Sequence, residues 1–479
     1  MRQINKISVQ DHIQKIATMF RSWSGEEATA IVPLPASGSY RQYYRLSSKK
    51  AQAVGAFYDS PEENKAFINL SRQFLKAGLN VPEIYAVADD HLCYLLQDLG
   101  DTTLFDIVSA HKQNRGFDEE LIQIYRQIID ELIRFQIIAG RDLDYSACYP
   151  SADFDTQAYM WDLNYFKYNF LKLAQIPYNE YHLEEDFRKL VQLLLSVESS
   201  YFVYRDFQTR NIMLHQGQLY FIDYQGGRRG PVHYDLVSLL FQARVGMPAA
   251  VREQLIDYYI AEAHKVAPRS VKDFRQHFYK FVLIRILQTL GAYGFRGLYE
   301  RKQHFIDSIP LAINNVKWLM DNQKIPDHLS ELINCLREII SREDLHAAEA
   351  PCLTVSINSF SYKRGVPPDN SGNGGGFVFD CRPLPNPGRE EKYRNLTGKD
   401  KEVCDYLEKS PEVERFISLA TDMVGLAIEN YTARRFSHLQ VSFGCTGGQH
   451  RSVYCAGQLA RRLQDDDRIR IVLRHLEQE

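Results

Sequence analysis

From Tyr201 to Gln225 the chain reads YFVYRDFQTRNIMLHQGQLYFIDYQ, two apolar strand-like runs around a polar loop. Asp206 and Asn211 stand five positions apart on that loop, and Asp223 follows the second run twelve residues after Asn211. Acidic and amide oxygens are thereby expected to arrive together from two adjacent strands. No other segment restricts the possible folds so strongly.

This set of groups suits phosphoryl transfer from ATP, which asks little covalent chemistry of a protein. One carboxylate must orient the acceptor hydroxyl, the task assigned to Asp206. Oxygen ligands must hold Mg2+ against the phosphates, the task assigned to Asn211 and Asp223. A neutral amide oxygen adds a hard donor without adding charge to a carboxylate site. Arg205, next to the base, is expected to position the loop and is grouped with Asp206 in the catalytic set. The alternative is that these are polar loop residues that only cap and turn.

Around this segment the pattern has two parts. Residues 31–58 alternate like strands around SGSYRQYYR, with Gly38 and Ser39 placed to turn. Pro61–Leu75 has helical spacing, and His91–Leu96 reads as a buried strand ending at QDLGD. These make a small α+β lobe. Long helical periods then fill 120–200 and 250–340, so a helical lobe holds the loop-rich site. Near Ser341–Pro351 the sequence turns polar and small, and 341–351 is read as a linker. From 352 the order is strand, Gly-rich loop (369–376), strand, helix, strand, loop, helix, which is an α/β pattern.

Length and composition agree. At roughly 150 residues per domain, 479 residues suggest about three folding units. Apolar residues at 45% and charged residues at 24% exclude a disordered or collagen-like chain. A formal charge of −3 gives no global basic field for nucleic acid or anionic lipid. The apolar run Phe281–Leu287 is interrupted by Arg285 and is too short to span a membrane. The first twenty residues do not read as a signal peptide. Eight scattered cysteines with no C-x-x-C pair point to a reducing cytoplasm.

The motifs SGSYRQYYRL, LLQDLGD, YRDFQTRNIML and IDYQGGRRGPVHYDLVSLL give residues 1–340 a resemblance to the aminoglycoside-phosphotransferase-type kinases. Within that superfamily they look most like the bacterial anomeric kinases of N-acetylmuramate and N-acetylglucosamine. The resemblance implies an α+β bilobal protein-kinase-like domain, with a small lobe over 1–98 and a helical lobe over 99–340. It implies that Gly38, Ser39, Tyr40 and Arg41 cover the nucleotide phosphates and that Gln97 to Leu99 form the hinge near adenine. Asp235 either braces the catalytic loop or caps its own helix. VGAFY at 54–58 has no lysine where many such kinases hold ATP. Either Arg41 or Arg45 takes its place, or the domain binds ATP weakly or is a pseudokinase. Glu63, the usual partner of that lysine, is equally readable as a solvated helix carboxylate.

A second constellation lies at VSFGCTGGQHRSVYCAGQLARRL, read as strand, Gly-containing loop and helix. Cys445 precedes Arg451 by six positions, a C-x5-R loop. Backbone N–H groups converging at a helix start favour a phosphate, and Arg451 can add a bidentate contact. The same spacing serves cysteine phosphatases, though Gly444 stands where many of them carry histidine. The plain alternative is a strand-to-helix turn with a buried Cys.

With FDCRPLPNP (379–387) and NLTGKD (395–400), residues 352–479 resemble the C-terminal domain of the RNase adapter family RapZ. The resemblance implies an α/β domain that senses glucosamine 6-phosphate and, in some bacteria, binds small RNA. Its sugar-phosphate site would comprise Asp380, Arg382, Asn386, Cys445, Thr446, Gly447, Gly448, His450 and Arg451. Gly388 replaces a common histidine, and the tail RIRIVLRHLEQE is not polybasic. Residues 351–479 hold 18 Lys and Arg against 17 Asp and Glu, a weak footprint for an RNA partner. No G-x-x-x-x-G-K-[ST] occurs, so the family's usual P-loop partner is replaced by the kinase-like part.

The expectation is a cytoplasmic ATP- and Mg2+-dependent phosphotransferase, an amino-sugar kinase with an alcohol acceptor, joined to a hexosamine-phosphate-sensing domain and without membrane contact. The alternative is a non-catalytic nucleotide-binding regulator or RNase adapter that binds sugar phosphate or RNA.

Overall fold

In 42–47 the side chains of Tyr44 and Leu46 are buried while Gln42 is exposed, the two-residue period of a half-buried strand. A computed structural model describes residues 9–35, 41–346, 353–368, 376–433, 436, 438–466 and 468–478. The chain divides into two units, Met1–His346 and Ala347–Glu479.

In the first unit, β1 (Ala30–Pro33), β2 (Gln42–Ser47), β3 (Gln52–Phe57), β4 (Ile84–Val87) and β5 (Cys93–Leu96) form an antiparallel sheet in the order β1-β2-β3-β5-β4. The helix Val9–Ser24 lays Ile16 and Phe20, both fully buried, against this sheet. Gly55 permits the approach, since a Cβ there would meet Ile16 Cγ2 at 2.2 Å. The expected helix runs Pro61–Lys76, with Pro at its first turn and the Ser60 side chain accepting from the Glu63 N–H. Its buried face carries Phe67, Leu70 and Phe74. Glu63 and Asn64 lie one turn earlier. The expected turn at Gly38 and Ser39 falls outside the described residues, as does Tyr40.

The helical lobe is organised around Phe274–Tyr293. This helix is apolar on nearly every side, with Phe281, Val282, Leu283, Ile284, Leu287 and Leu290 fully buried, which is the composition of a central core helix. Helices Thr156–Phe166, His233–Leu240 and Ile309–Asp321 pack on it. Two short ribbons carry the loop segment. β6 (Tyr201–Val203) pairs antiparallel with β9 (Arg228–Gly230), and β7 (Ile212–His215) with β8 (Gln218–Phe221).

The second unit holds β10 (Leu353–Ser361), β11 (Gly376–Asp380), β12 (His438–Cys445) and β13 (Ile469–His475) in a fully parallel sheet, ordered β11-β12-β10-β13. The alternating RIRIVLRH is an edge strand, not a tail, a pairing the sequence reading did not anticipate. Gly376, read as loop, opens β11, and the rest of that expected loop lies outside the described residues. Helix Pro411–Ala433 buries Val413, Ile417, Ala420, Val424 and Ile428 along one stripe, and helix Arg451–Leu463 packs on β12 and β10. Among the described residues no helix is long and apolar enough to cross a membrane.

Candidate active site

The segment between β6 and β8 is held from below by one buried carboxylate. Asp235, fully buried in the helix His233–Leu240, accepts from the backbone N–H of Tyr204 and of Arg205, both at 2.8 Å. Gln136 Nε2 adds a third donor at 3.0 Å. Asp235 therefore braces the loop, and no side chain caps its own helix. Burial pushes its carboxyl up to about 6 against the pull of those N–H groups. Each backbone N–H left without it would lose about 1–3 kcal/mol.

The clamp lets Arg205 adopt a left-handed φ of 77°. Its guanidinium pairs with Asp162 Oδ1 at 2.9 Å. Arg205 thus acts through the loop it anchors.

Asp206 stands at the floor of the cleft, with its side chain 38% exposed. Arg285 NH2 donates to its Oδ1 at 3.2 Å. Partial burial pushes the Asp206 carboxyl up, but Arg285, Arg205 and Arg210 outweigh it and hold the group below the usual carboxylate range. That shift favours the ionised form, which can accept a proton. Arg285 went unassigned in the sequence reading, yet a signal existed. A lone cation in the run FVLIRILQTL must find a partner to be buried.

Asn211, 6% exposed, donates through Nδ2 to the Asp206 carbonyl at 2.8 Å and to Asp223 Oδ2 at 3.1 Å. Its Oδ1 accepts no hydrogen bond among the described residues. Asp223 has a φ of 71° and accepts from Gln225 Nε2 at 2.8 Å. Burial raises the Asp223 carboxyl, and the charge of Asp206 raises it further. Two repelling carboxylates beside an unbonded amide oxygen form a donor set that fits a hard divalent cation.

These groups face a cavity of about 760 Å³ also lined by Tyr43, Arg45, Val54, Leu96 and the 97–100 segment. Gln97 and Leu99 are therefore on its wall, opposite Asp206, Asn211 and Asp223. Arg41 is not on that wall. Its side chain, 1% exposed, pairs with Glu63 Oε1 at 3.0 Å and Asn64 Oδ1 at 3.2 Å. Arg45 is committed to the hinge, at 2.6 Å from Asp98 and 2.9 Å from Asp101. The helix carboxylate left without a lysine is thus met by Arg41.

In the second unit the expected residues gather at the carboxyl end of β11 and β12, the end where parallel sheets present ligand sites. Asp380 is in register with Gly444. Arg382 reaches back to Asp380 through Nε at 2.9 Å and NH2 at 2.7 Å. Arg451, 5% exposed, donates to the carbonyls of Arg382 and Leu384 at 2.7 and 3.1 Å, bracing that segment. Asn386 accepts from the Gly388 N–H at 3.2 Å, and a Cβ on Gly388 would lie 3.3 Å from His450. His450 Nε2 is 2.9 Å from the Tyr393 carbonyl.

Cys445 is buried with its Sγ 3.2 Å from Ser452 Oγ. Burial raises this thiol, but the Ser452 hydroxyl, the N–H groups of Ser452 and Gly448, and Arg451 bring it below its ordinary value. Thr446 and Gly447 are exposed at the loop tip. Gly448 has a φ of 67°. The loop is a turn at the start of the helix Arg451–Leu463, the kind of helix end whose free N–H groups favour an anion.

A bilobal protein-kinase-like fold, a loop braced by Asp235 and a donor set that fits a hard cation place the first unit in the phosphotransferase class of folds. The second unit is a separate parallel α/β domain. The chain belongs to the phosphotransferase enzyme family, which residues 30–274 match, and residues 353–479 match the RapZ C-terminal domain.

Among curated relatives, the chain is 44% identical over 142 residues to a nucleotide-binding protein of Azoarcus sp. (strain BH72), covering 30% of this chain and 46% of that protein. It is 43% identical over 113 residues to one of Xylella fastidiosa (strain M23), covering 24% and 37%. The chain thus spans less than half the length of either relative. Among solved structures, a choline kinase from Cryptosporidium parvum Iowa II aligns over 67% of this chain and 99% of its own, with 13% identity and a TM-score of 0.46.

Proposed function

We propose that this protein is an ATP-dependent amino-sugar kinase of the cytoplasm, of the N-acetylmuramate and N-acetylglucosamine type, whose second domain binds a hexosamine phosphate. The convergence of Asp206, Asn211 and Asp223 on one wall of the cleft carries this reading. The nucleotide lies against the 97–99 segment, with its phosphates directed toward that wall. Asp206, ionised, accepts the proton of the acceptor hydroxyl as the hydroxyl oxygen bonds to the γ-phosphorus, the bond from that phosphorus to the β–γ bridging oxygen breaks, and ADP leaves. Arg285 keeps Asp206 ionised, and Asp235 fixes the loop so that the proton is taken at one place. Asn211 and Asp223 would hold Mg2+, which when bound offsets the phosphate charge. Arg41 stands in for the lysine as partner of Glu63, which favours an active kinase over a pseudokinase.

In the second domain, Gly447, Gly448 and the first turn of Arg451–Leu463 offer N–H groups to a phosphate, with Asp380 and Arg382 at the sugar side. Support comes from the resemblance of both motif sets to amino-sugar proteins.

The test is ADP release by the full chain with ATP, Mg2+ and a panel of N-acetylmuramate, N-acetylglucosamine and glucosamine. Acceptor-dependent ADP that disappears in Asp206→Asn is the expected result. ADP release indifferent to every acceptor, or persisting in that variant, would overturn the assignment.

A further inference from the structure

Beside Asp206, on the helical lobe, lies a second cavity of about 250 Å³. Arginines from three separate elements reach it. Arg210 comes from the catalytic loop, Arg244 from the turn after His233–Leu240, and Arg285 from the central helix. Gln242, Thr289 and Tyr293 share the wall, and no carboxylate lines it.

Arg285 is occupied by Asp206 and Gln288. Arg210 and Arg244 are exposed and have no ion-pair or hydrogen-bond partner among the described residues. Their charges are felt by their neighbours. His304 is lowered by burial and then by Arg244, Lys302 and Arg210. Tyr293 is raised by burial and pulled back by Arg210, Arg285 and Arg244. Arg210 and Arg244, two like charges at one cavity without a carboxylate between them, repel one another, and an anion there relieves that repulsion. Arg210 also lines the nucleotide cavity, so the two spaces meet at the residue preceding Asn211.

We infer that this pocket receives the acceptor and that the acceptor carries an anionic group, a carboxylate or a phosphate ester, bound by Arg244 and Arg210 while its hydroxyl faces Asp206. The inference rests on the phosphotransferase reading above and narrows its substrate class. A neutral sugar offers these guanidiniums hydrogen-bond acceptors but no opposing charge, and an aminated sugar is repelled by them.

The test is isothermal titration of the full chain, with a non-hydrolysable ATP analogue and Mg2+, against four probes. These are N-acetylmuramate (carboxylate), N-acetylglucosamine 6-phosphate (phosphate), N-acetylglucosamine (neutral) and glucosamine (cationic). One anionic probe is expected to bind about tenfold tighter than the neutral sugar, the worth of one charge-assisted hydrogen bond. That advantage is expected to vanish in Arg244→Gln and in Arg210→Gln and to return in part in Arg244→Lys. Both arginines are exposed, so thermal melting of each variant verifies the fold. Because the reading is the wild type against Arg244→Gln, phosphate binding at the Cys445 loop of the second unit cancels. Which anionic probe loses affinity names the source. An anionic preference that survives both glutamine variants, or none in the wild type, overturns the inference. Phosphorylation of the neutral sugar without anionic preference overturns it while leaving the kinase reading intact. Anionic binding lost in Arg244→Gln without any ADP release upholds the pocket and overturns the kinase reading.

Discussion

Arg285 NH2 donates to Asp206 Oδ1 at 3.2 Å across 79 positions of chain, placing a buried guanidinium on a carboxylate that lines the cleft. Burial alone would raise Asp206, and the arginines reverse that shift. A lowered carboxylate contributes stability above its unfolded value, near 3.9, that is lost as pH falls through the lower folded value. The acid limb of kcat/KM should accordingly lie below about pH 4 for this group. In Arg285→Gln it should move up, because burial then acts with less opposition. A limb unmoved in that variant would show that Arg285 does not govern the base.

Replacement of Asp206 by Asn removes the proton acceptor and leaves the nucleotide wall in place. Turnover should fall by about 10²–10⁴-fold, the usual worth of a general base. ATP affinity, read by titration, should stay within about threefold. A variant that loses both together would place Asp206 in nucleotide binding.

The pair between Arg41 and Glu63 is more enclosed, the arginine being 1% and the glutamate 22% exposed. Arg41→Met leaves Glu63 and Asn64 without their donor and should destabilise the first unit by about 3 kcal/mol, measured by urea unfolding. Arg41→Lys keeps the charge without the two-pronged contact, so about half of that loss is expected. If the methionine variant is as stable as the parent, the pair contributes nothing.

Gly448 combines a φ of 67° with crowding, since a Cβ would lie 2.9 Å from the Ser361 backbone nitrogen and 2.3 Å from Glu477 Cγ. Gly448→Ala should lower the stability of the second unit by about 1–3 kcal/mol and weaken glucosamine 6-phosphate binding by about tenfold. Gly447 has open space around its Cβ position. Gly447→Ala is therefore the control and should cost less than about 1 kcal/mol. Equal losses in the two variants would remove the special role of Gly448.

The segment from Asp206 to Asp223 was legible because its pattern is local. Asp206, Asn211 and Asp223 fall within eighteen residues of one strand–loop–strand segment, and the ribbons β6 to β9 hold them as the pattern implies. The C-x5-R loop was legible for the same reason, since strand, turn and helix follow one another directly. Edge strand β13 was missed because a short alternating run that ends a chain resembles a polar tail until a partner strand fixes its register.

Sequence alone determined the two kinds of domain, the order of most of their elements and the residue types at each loop, because periodicity and turn chemistry act over a few neighbours. Only the tertiary structure decided which arginine serves which carboxylate. Arg41 went to Glu63, Arg45 to the hinge and Arg285 to Asp206, while Asp235 turned to the N–H groups of Tyr204 and Arg205. The reason is physical. A buried charge must be paired, but its partner is set by where the packed core brings distant segments together, and spacing along the chain carries no record of that.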